Sequence, residues 1–169
     1  MNVPTILTPN QTLRLFRKED ALPLHRILNE ENILQYYPNP SPPPLDRVEK
    51  FIDRQLAHWE EHGYGWWAVV PFGSQELIGW NGLQYLPETG ETEVGFLLSR
   101  AFWNRGLATE GAKASLDFGF DRFGLKKIIG LVHPENFASQ RVLVKIGMSF
   151  LDQVQYFGMD LYRYAIERS

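Results

Sequence analysis

The sequence predicts an α+β protein built around one mixed β-sheet, and three features favour this class. The 169 residues are 44% apolar and 22% charged, which suits one compact domain over residues 1–169 with a substantial core. Residues 65–98 hold three apolar and aromatic runs separated by turn-forming residues, the pattern of an antiparallel meander. Residues 106–132 combine a helical repeat with a short apolar run, which is typical of a crossover to a parallel strand.

The first third of the chain predicts a strand and two helices. Residues 13–17 read as the strand, and Asp20 can cap a helix that continues to about Leu34. Apolar residues then recur at helical spacing over residues 48–59, and Gly63 supplies the stop.

A stiff loop joins these two helices. Five prolines lie within residues 38–44, and proline fixes its own φ and disfavours helix at the residue before it. The loop is either a plain connection or the wall of a pocket, to which Tyr36 and Tyr37 would contribute their rings.

The rest of the chain alternates strands and helices. One helix begins near Gly106 and ends at Gly124, and Asn136 is a typical N-cap for a short helix that Gly147 closes. A final hairpin follows. The predicted strands are residues 13–17, 65–72, 77–86, 92–98, 127–132, 148–155 and 159–166.

Composition excludes several classes of function. The chain carries 17 Lys and Arg against 20 Asp and Glu, a net charge of −3, so we expect no nucleic-acid partner. It has no Cys, which excludes thiolate metal sites and acyl-cysteine intermediates, and its four scattered His predict no metal. Without a signal-like N-terminus or a long apolar run, we expect a cytoplasmic protein with no membrane contact.

The segment from Phe102 to Glu110 runs from a strand into a helix start and is the most informative one. Unpaired amides at a helix N-terminus favour phosphate, and Gly106 and Ala108 lack the bulk that would keep a pyrophosphate away. Simple packing would also account for small residues at such a turn. The segment has neither a Walker motif nor a three-glycine dinucleotide fingerprint, which disfavours nucleoside triphosphates and NAD.

This segment resembles the pyrophosphate loop of the GNAT superfamily of acetyl-CoA-dependent N-acetyltransferases, whose pattern is Gln/Arg-x-x-Gly-x-Gly/Ala. Trp103 stands where the pattern has Gln or Arg, as it often does in the RimJ/RimL-like branch that acts on protein N-termini. That branch is also similar at residues 93–96, 108–110 and 134–139. The resemblance spans about residues 13–166.

The resemblance implies a GNAT-like fold, with a mostly antiparallel seven-stranded sheet, about four helices and a bulged, splayed central strand. In the family, the pantetheine arm of the cofactor enters the gap beside that strand. The adjacent Leu97 and Leu98 fit the bulge, although a strand buried on both faces would give the same pattern. The implied cofactor-binding residues are Phe96, Leu97, Leu98, Trp103, Asn104, Arg105, Gly106, Leu107, Ala108, Thr109, Asn136 and Ser139.

Candidate catalytic residues follow from the same resemblance. Many members protonate the leaving thiolate with a Tyr at the position that is Leu143 here, so Ser139 becomes the candidate acid, unless water serves or the thiolate leaves unprotonated. Glu93 and Glu135 are candidate general bases, and His133 is a weaker one; each also suits an ordinary structural role.

The predicted function is therefore direct transfer of an acetyl group from acetyl-CoA to an amine. The resemblance points to a protein N-terminus or another weakly basic amine as acceptor. A noncatalytic acyl-CoA-binding module is the alternative, because the Tyr is missing and no base is obvious. The oligomeric state stays open.

Overall fold

The computed structural model describes residues 2–169, which form one eight-stranded sheet with four α-helices. The strands are β1 Ile6–Leu7, β2 Gln11–Arg14, β3 Trp66–Pro71, β4 Gly79–Leu86, β5 Glu91–Leu98, β6 Lys127–Val132, β7 Ser149–Tyr156 and β8 Met159–Glu167. The helices are α1 Ala21–Leu28, α2 Leu45–His62, α3 Leu107–Phe123 and α4 Phe137–Lys145. The predicted α+β class is confirmed.

The strand order across the sheet is β1-β2-β3-β4-β5-β6-β8-β7. Every neighbouring pair is antiparallel except β5 and β6, which are parallel because α3 crosses between them. The expected count of seven strands misses β1, which pairs Ile6 with Leu13. Two residues are too few to show the alternation by which a strand is recognised.

The first helix is shorter than predicted, because α1 ends at Leu28 instead of near Leu34. Asn32 has a left-handed φ of 58°, which no α-helix accepts. The Glu30 carboxylate accepts hydrogen bonds from the Ser99 hydroxyl and, at 2.9 Å, from the Arg100 amide, so the segment directly after β5 draws the chain away from the helix axis. This tertiary contact overrides the local preference for helix.

The start of α1 also differs from expectation. Asp20 precedes the helix, but its carboxylate accepts hydrogen bonds from the Arg17 amide and from the guanidinium of Arg14 instead of capping α1. Arg14 is the last residue of β2, which begins and ends earlier than the predicted residues 13–17. The ion pair therefore joins the sheet to the turn before the helix.

Two hydrophobic clusters cover opposite faces of the sheet. One joins α3 and α4 to the sheet through residues such as Leu98 and Leu116, and the other joins α1 and α2 to it through Leu97 and Ile52. Adjacent residues of a strand point to opposite faces, so Leu97 and Leu98 each meet a different cluster.

The prediction of a bulge at Leu97 and Leu98 is wrong. The β4–β5 register runs unbroken from Gly79 opposite Leu98 to Leu86 opposite Glu91. The two leucines are both buried because β5 is covered on both faces, the alternative that gives the same pattern. Among the described pairings, the register shift lies in β7, between Phe150 and Asp152.

Candidate active site

The two parallel strands at the centre of the sheet are joined by one pair of residues. Glu93 of β5 lies opposite Ile129 of β6, and no further pair between these strands forms in the part of the chain described. Beyond that pair, both strands continue towards the loops before α3 and α4, and a cavity of about 560 Å³ opens there. The splayed strand is thus present without a bulge.

All the predicted site residues line this one cavity. They come from β5, from the loop into α3 and from the loop into α4, which are far apart in sequence. They are Glu93, Phe96, Leu97, Leu98, Trp103, Asn104, Arg105, Gly106, Leu107, Ala108, Thr109, Asn136 and Ser139.

The loop into α3 presents a row of free donors. The six consecutive backbone N–H groups from Asn104 to Thr109 have no hydrogen-bond acceptor among residues 2–169. Asn104 and Gly106 have left-handed φ values of 60° and 77°, which turn the chain sharply before the helix. A Cβ added to Gly106 would meet no atom within 4 Å, so the space beside it is open. Such an array of amides at a helix N-terminus suits an anion.

Two buried amide side chains hold this helix start in place, and no pattern in the sequence indicates either of them. Gln11 of β2 donates to the Leu107 carbonyl at 2.8 Å, and Asn81 of β4 donates to the Ala108 carbonyl at 3.3 Å. Asn81 also accepts a hydrogen bond from the Ser115 hydroxyl. Their partners lie 96 and 27 residues away along the chain, so only the folded chain shows these contacts.

The side chain of Trp103 closes the other side of the loop. Its indole N–H donates to the Leu98 carbonyl at 2.7 Å, which ties the loop to the end of β5. The Arg100 guanidinium lies 5.5 Å from the ring centroid. The Trp that departs from the Gln/Arg pattern therefore has a structural contact of its own.

The loop into α4 contributes a cap and a free hydroxyl. Asn136 is the predicted N-cap, and its side-chain oxygen accepts a hydrogen bond from the Ser139 amide at 3.2 Å. The Ser139 hydroxyl makes no hydrogen bond within residues 2–169 and is half-buried in the cavity wall. Leu143 is 2% exposed and packs against Gly130, so it is a core residue with no proton to give.

Glu93 is the one buried carboxylate of the described cavity lining. Its residue surface is 8% exposed, and no side-chain hydrogen bond to it is formed in residues 2–169. Burial raises the pKa of its carboxyl to about 8, because the charged form loses its hydration. Glu135, the other candidate base, is exposed.

Tyr36 and Tyr37 line the cavity, as the pocket-wall interpretation of their loop requires. The Tyr36 ring stacks on His133 with centroids 5.1 Å apart. Tyr37 keeps 37% of its surface exposed, yet burial of its hydroxyl, and secondarily the nearby Glu93 carboxylate, raise its pKa. His133 accepts the Glu135 amide on Nδ1, a local structural contact.

Residues 2–169 contain no helix that is long and apolar enough to cross a membrane. Within the same residues, no three His, Asp or Glu side chains come together as metal ligands would.

The comparisons with known proteins agree with this geometry. A family model described as an acetyltransferase (GNAT) domain matches residues 11–149. YkkB from Bacillus subtilis, an uncharacterized protein, is 31% identical over 159 residues, which cover 89% of this chain and 88% of YkkB.

Solved structures show the same fold. The acetyltransferase from Agrobacterium tumefaciens superposes with a TM-score of 0.85 at 26% identity, covering 99% of this chain and 96% of that one. RimL, a ribosomal-protein alpha-N acetyltransferase solved in complex with coenzyme A, superposes with a TM-score of 0.82 at 16% identity, covering 97% and 98%.

Strands β5 and β6 separate beyond one pair of residues, and a row of free backbone amides lies at the start of α3. Together these two features define the fold of an acyl-CoA-dependent transferase. The chain belongs to the GNAT acetyltransferase family. It is an N-acetyltransferase.

Proposed function

We propose that the protein transfers the acetyl group of acetyl-CoA directly to an α-amine or another weakly basic amine, as the RimJ/RimL-like branch does with protein N-termini. The observation that carries this proposal is the buried Glu93 carboxyl at the point where β5 and β6 part. RimL shares the fold, and the branch resemblance of residues 93–96 and 134–139 supports the same class of acceptor.

The cofactor side of the site is built from backbone. The free amides from Asn104 to Thr109 suit the pyrophosphate of acetyl-CoA, and the unpaired edges of β5 and β6 suit the amides of its pantetheine arm. Asn136 keeps a side-chain N–H₂ with no partner in residues 2–169, which can bond the arm. These roles bring the thioester beside Ser139 and the carboxyl of Glu93.

The reaction then proceeds without an acyl-enzyme. The ionised Glu93 carboxylate takes a proton from the ammonium group of the acceptor, and the free amine attacks the thioester carbon. A backbone N–H of β5 in the gap stabilises the oxyanion of the tetrahedral intermediate. The C–S bond breaks, and the amine nitrogen passes its second proton, through the Ser139 hydroxyl or a water molecule, to the leaving CoA thiolate, so that Ser139 ends the step protonated as it began.

The pKa of Glu93 selects among amines. An α-amine has a pKa of about 7.7 to 8.0, close to the value of about 8 for Glu93, so the proton passes between them at little cost. A lysine side chain, with a pKa of about 10.4, requires roughly 3 kcal/mol more to lose its proton to the same carboxylate.

Two peptides of one sequence test this proposal. One has a free N-terminus and a blocked lysine, and the other has the reverse, and acetyl-CoA consumption is followed from pH 6.5 to 9. We expect faster acetylation of the free N-terminus. Faster acetylation of the lysine throughout the range would contradict the α-amine acceptor.

A noncatalytic acyl-CoA-binding module was the alternative function. Such a module would bind acetyl-CoA and release no thiol with either peptide, so the same assay distinguishes the two functions. The membership in the acetyltransferase family favours the enzyme.

A further inference from the structure

Glu110 is the acidic residue in the first turn of α3, directly after the row of free amides. A carboxylate so close to a site for a pyrophosphate repels the anion, so its presence there calls for an explanation. The residue is partly buried, and it does not line the cavity of the active site. Glu110 is therefore neither a cofactor ligand nor an ordinary solvated acid.

Three donors of the β1–β2 turn hold the carboxylate of Glu110. The Thr8 hydroxyl and, at 2.8 Å, the Asn10 backbone N–H donate to one oxygen, and the Asn10 side chain donates to the other at 2.8 Å. Burial acts to raise the pKa of Glu110, but these hydrogen bonds outweigh it and lower the pKa below its usual value. The carboxylate is thus ionised at neutral pH, and the hydrogen bonds that it accepts are charge-assisted.

The same turn contacts α3 at a second point. Gln11 follows Asn10 and donates to the Leu107 carbonyl at 2.8 Å, so consecutive residues hold α3 at two positions on one face of the helix. Asn10 is itself tied to the sheet, because its carbonyl accepts the Phe72 amide at 2.9 Å. Contacts at two points fix both the position of α3 along its axis and its rotation against the sheet.

The contacts at the start of α3 act on the free amides through the peptide bond. The Leu107 carbonyl shares its peptide unit with the N–H of Ala108. The Ala108 carbonyl, which accepts from Asn81, shares its unit with the N–H of Thr109. In a trans peptide the C=O and N–H point in opposite directions, so both carbonyls are held from one side while both N–H groups stay free for an anion. A hydrogen bond to the carbonyl also polarises the unit and strengthens its N–H as a donor.

We propose that Glu110 is a positioning residue for the cofactor: it holds the β1–β2 turn against α3 and so keeps the free amides at the helix start in the arrangement that binds the pyrophosphate of acetyl-CoA. Its effect is confined to the part of the cofactor that these amides bind. This inference rests on the proposed function, which places the pyrophosphate there, and adds the residues that hold the site in shape.

The charge of Glu110 by itself would act in the opposite direction. Removing a negative charge near a bound anion tightens the binding of that anion, whereas loosening the helix start weakens it. Glu110→Gln removes the charge and, because an amide nitrogen accepts no hydrogen bond, also removes the contact with the Asn10 side chain. The sign of the change in CoA affinity therefore separates positioning from a bare electrostatic effect.

The experiment compares Glu110→Ala, Glu110→Gln, Asn10→Ala and the double variant Asn10→Ala/Glu110→Ala with the wild type. Titration calorimetry gives the Kd of CoA. Acetylation of the peptide with a free N-terminus gives kcat/KM for acetyl-CoA and for S-acetylpantetheine, which keeps the thioester and the arm but lacks the pyrophosphate. Asp117→Ala is the matched control, because it removes another carboxylate of α3, which accepts from Arg168 at 2.7 Å and lies outside the cavity.

We expect Glu110→Ala to raise the Kd of CoA and to lower kcat/KM for acetyl-CoA by about 10-fold each, the scale of lost hydrogen bonds to a charged group. With S-acetylpantetheine, kcat/KM should change less than about twofold. Glu110→Gln and Asn10→Ala should each raise the Kd of CoA about 3-fold. The double variant should match Glu110→Ala, because Asn10 acts through Glu110, and Asp117→Ala should leave the Kd unchanged.

Three results would overturn the inference. An equal fall with acetyl-CoA and with S-acetylpantetheine would make Glu110 a general structural residue. Unchanged or tighter binding of CoA to the Glu110 variants would leave the carboxylate only its charge. Effects of Asn10→Ala and Glu110→Ala that multiply in the double variant would show that the two residues act separately. Glu110→Gln keeps the shape of the side chain, so its Kd decides if Glu110→Ala does not fold.

Failure of the proposed function gives different results. A peptide that no variant and no wild type acetylates would contradict the proposed acceptor, while the calorimetric comparison needs no acceptor and still decides on Glu110. A wild type that uses S-acetylpantetheine as well as acetyl-CoA would contradict the pyrophosphate site itself, and the role of Glu110 with it.

Discussion

Glu93 and Ile129 are the residues through which the two parallel strands of the sheet meet. Because pairing stops there, the backbone groups that β5 and β6 turn towards each other beyond this point are free for a ligand, and the Glu93 side chain lines the same cavity. One position on β5 thus combines the last contact between strands with the buried carboxyl.

The pH dependence of acetylation should follow the ionisation of Glu93. An acceptor amine whose own pKa is below about 6 arrives neutral, so Glu93 takes the proton that the nitrogen loses during its attack and only the enzyme titrates. Burial raises the pKa of Glu93 to about 8. We expect kcat/KM to rise with pH, to reach half of its maximum near pH 8 and to level off above about pH 9, and Glu93→Gln to lower the plateau about 100-fold and flatten the profile. Steady-state rates from pH 5.5 to 9.5 check this. A Glu93→Gln variant with the wild-type profile would assign the base elsewhere.

Gly106 and Gly124 flank α3 and form a matched pair. Both have left-handed φ values, of 77° and 62°, and an added Cβ would meet no atom within 4 Å at either position. Alanine at each should therefore cost a similar amount of stability, about 1 to 2 kcal/mol. Only Gly106→Ala should weaken CoA binding, since its Cβ enters the space beside the free amides. Titration calorimetry with CoA and thermal unfolding measure the two effects separately.

Ala108→Asp extends this comparison. A carboxylate at the first turn of α3 repels a pyrophosphate held by the same amides, and we expect a larger loss of CoA affinity than for Gly106→Ala. If Gly106→Ala and Ala108→Asp both fold and bind CoA as the wild type does, the phosphates bind elsewhere.

Ser139→Ala should lower turnover and leave CoA affinity nearly intact. The cap of α4 is kept, because Asn136 bonds the backbone amide of residue 139 and not its hydroxyl. We expect kcat to fall about tenfold, less than for a typical general acid, since a thiolate with a pKa of about 8.5 is a tolerable leaving group. Pre-steady-state thiol release and CoA titration separate the two quantities. A loss confined to affinity would make Ser139 a cofactor ligand.

His58 should make the fold sensitive to acid. Its Nδ1–H donates to the Tyr64 carbonyl at 2.8 Å and its Nε2 accepts the Tyr85 amide at 3.1 Å, so the structure holds the neutral ring. Burial lowers its pKa below the usual 6.5.

Below pH 6.5 the unfolded chain therefore binds a proton that the folded chain does not bind. The contribution of the neutral His58 to the free energy of unfolding is fully present above pH 6.5 and is lost as the pH falls below it. Urea unfolding at pH 5, 6 and 7 should show this decline, and His58→Gln should reduce its slope. An unchanged slope would contradict the assignment to His58.

Local patterns in the sequence were enough for the elements that depend on near neighbours. The apolar repeat before Gly63 and the helix between Gly106 and Gly124 were predicted with nearly the observed ends, because helix periodicity and left-handed caps are properties of a few adjacent residues. The resemblance of short motifs to the GNAT superfamily indicated the family. It also predicted residues from distant parts of the chain that line one cavity in the structure.

Tertiary structure alone decided the features that depend on distant partners. Glu30 ends α1 early through contacts with residues about 70 positions away, and burial on both faces accounts for Leu97 and Leu98 without a bulge. The raised pKa of Glu93 arises where the sheet and the loop of Tyr37 enclose one space. Desolvation and hydrogen-bond satisfaction are set by all the atoms around a group, and the sequence lists only its neighbours along the chain.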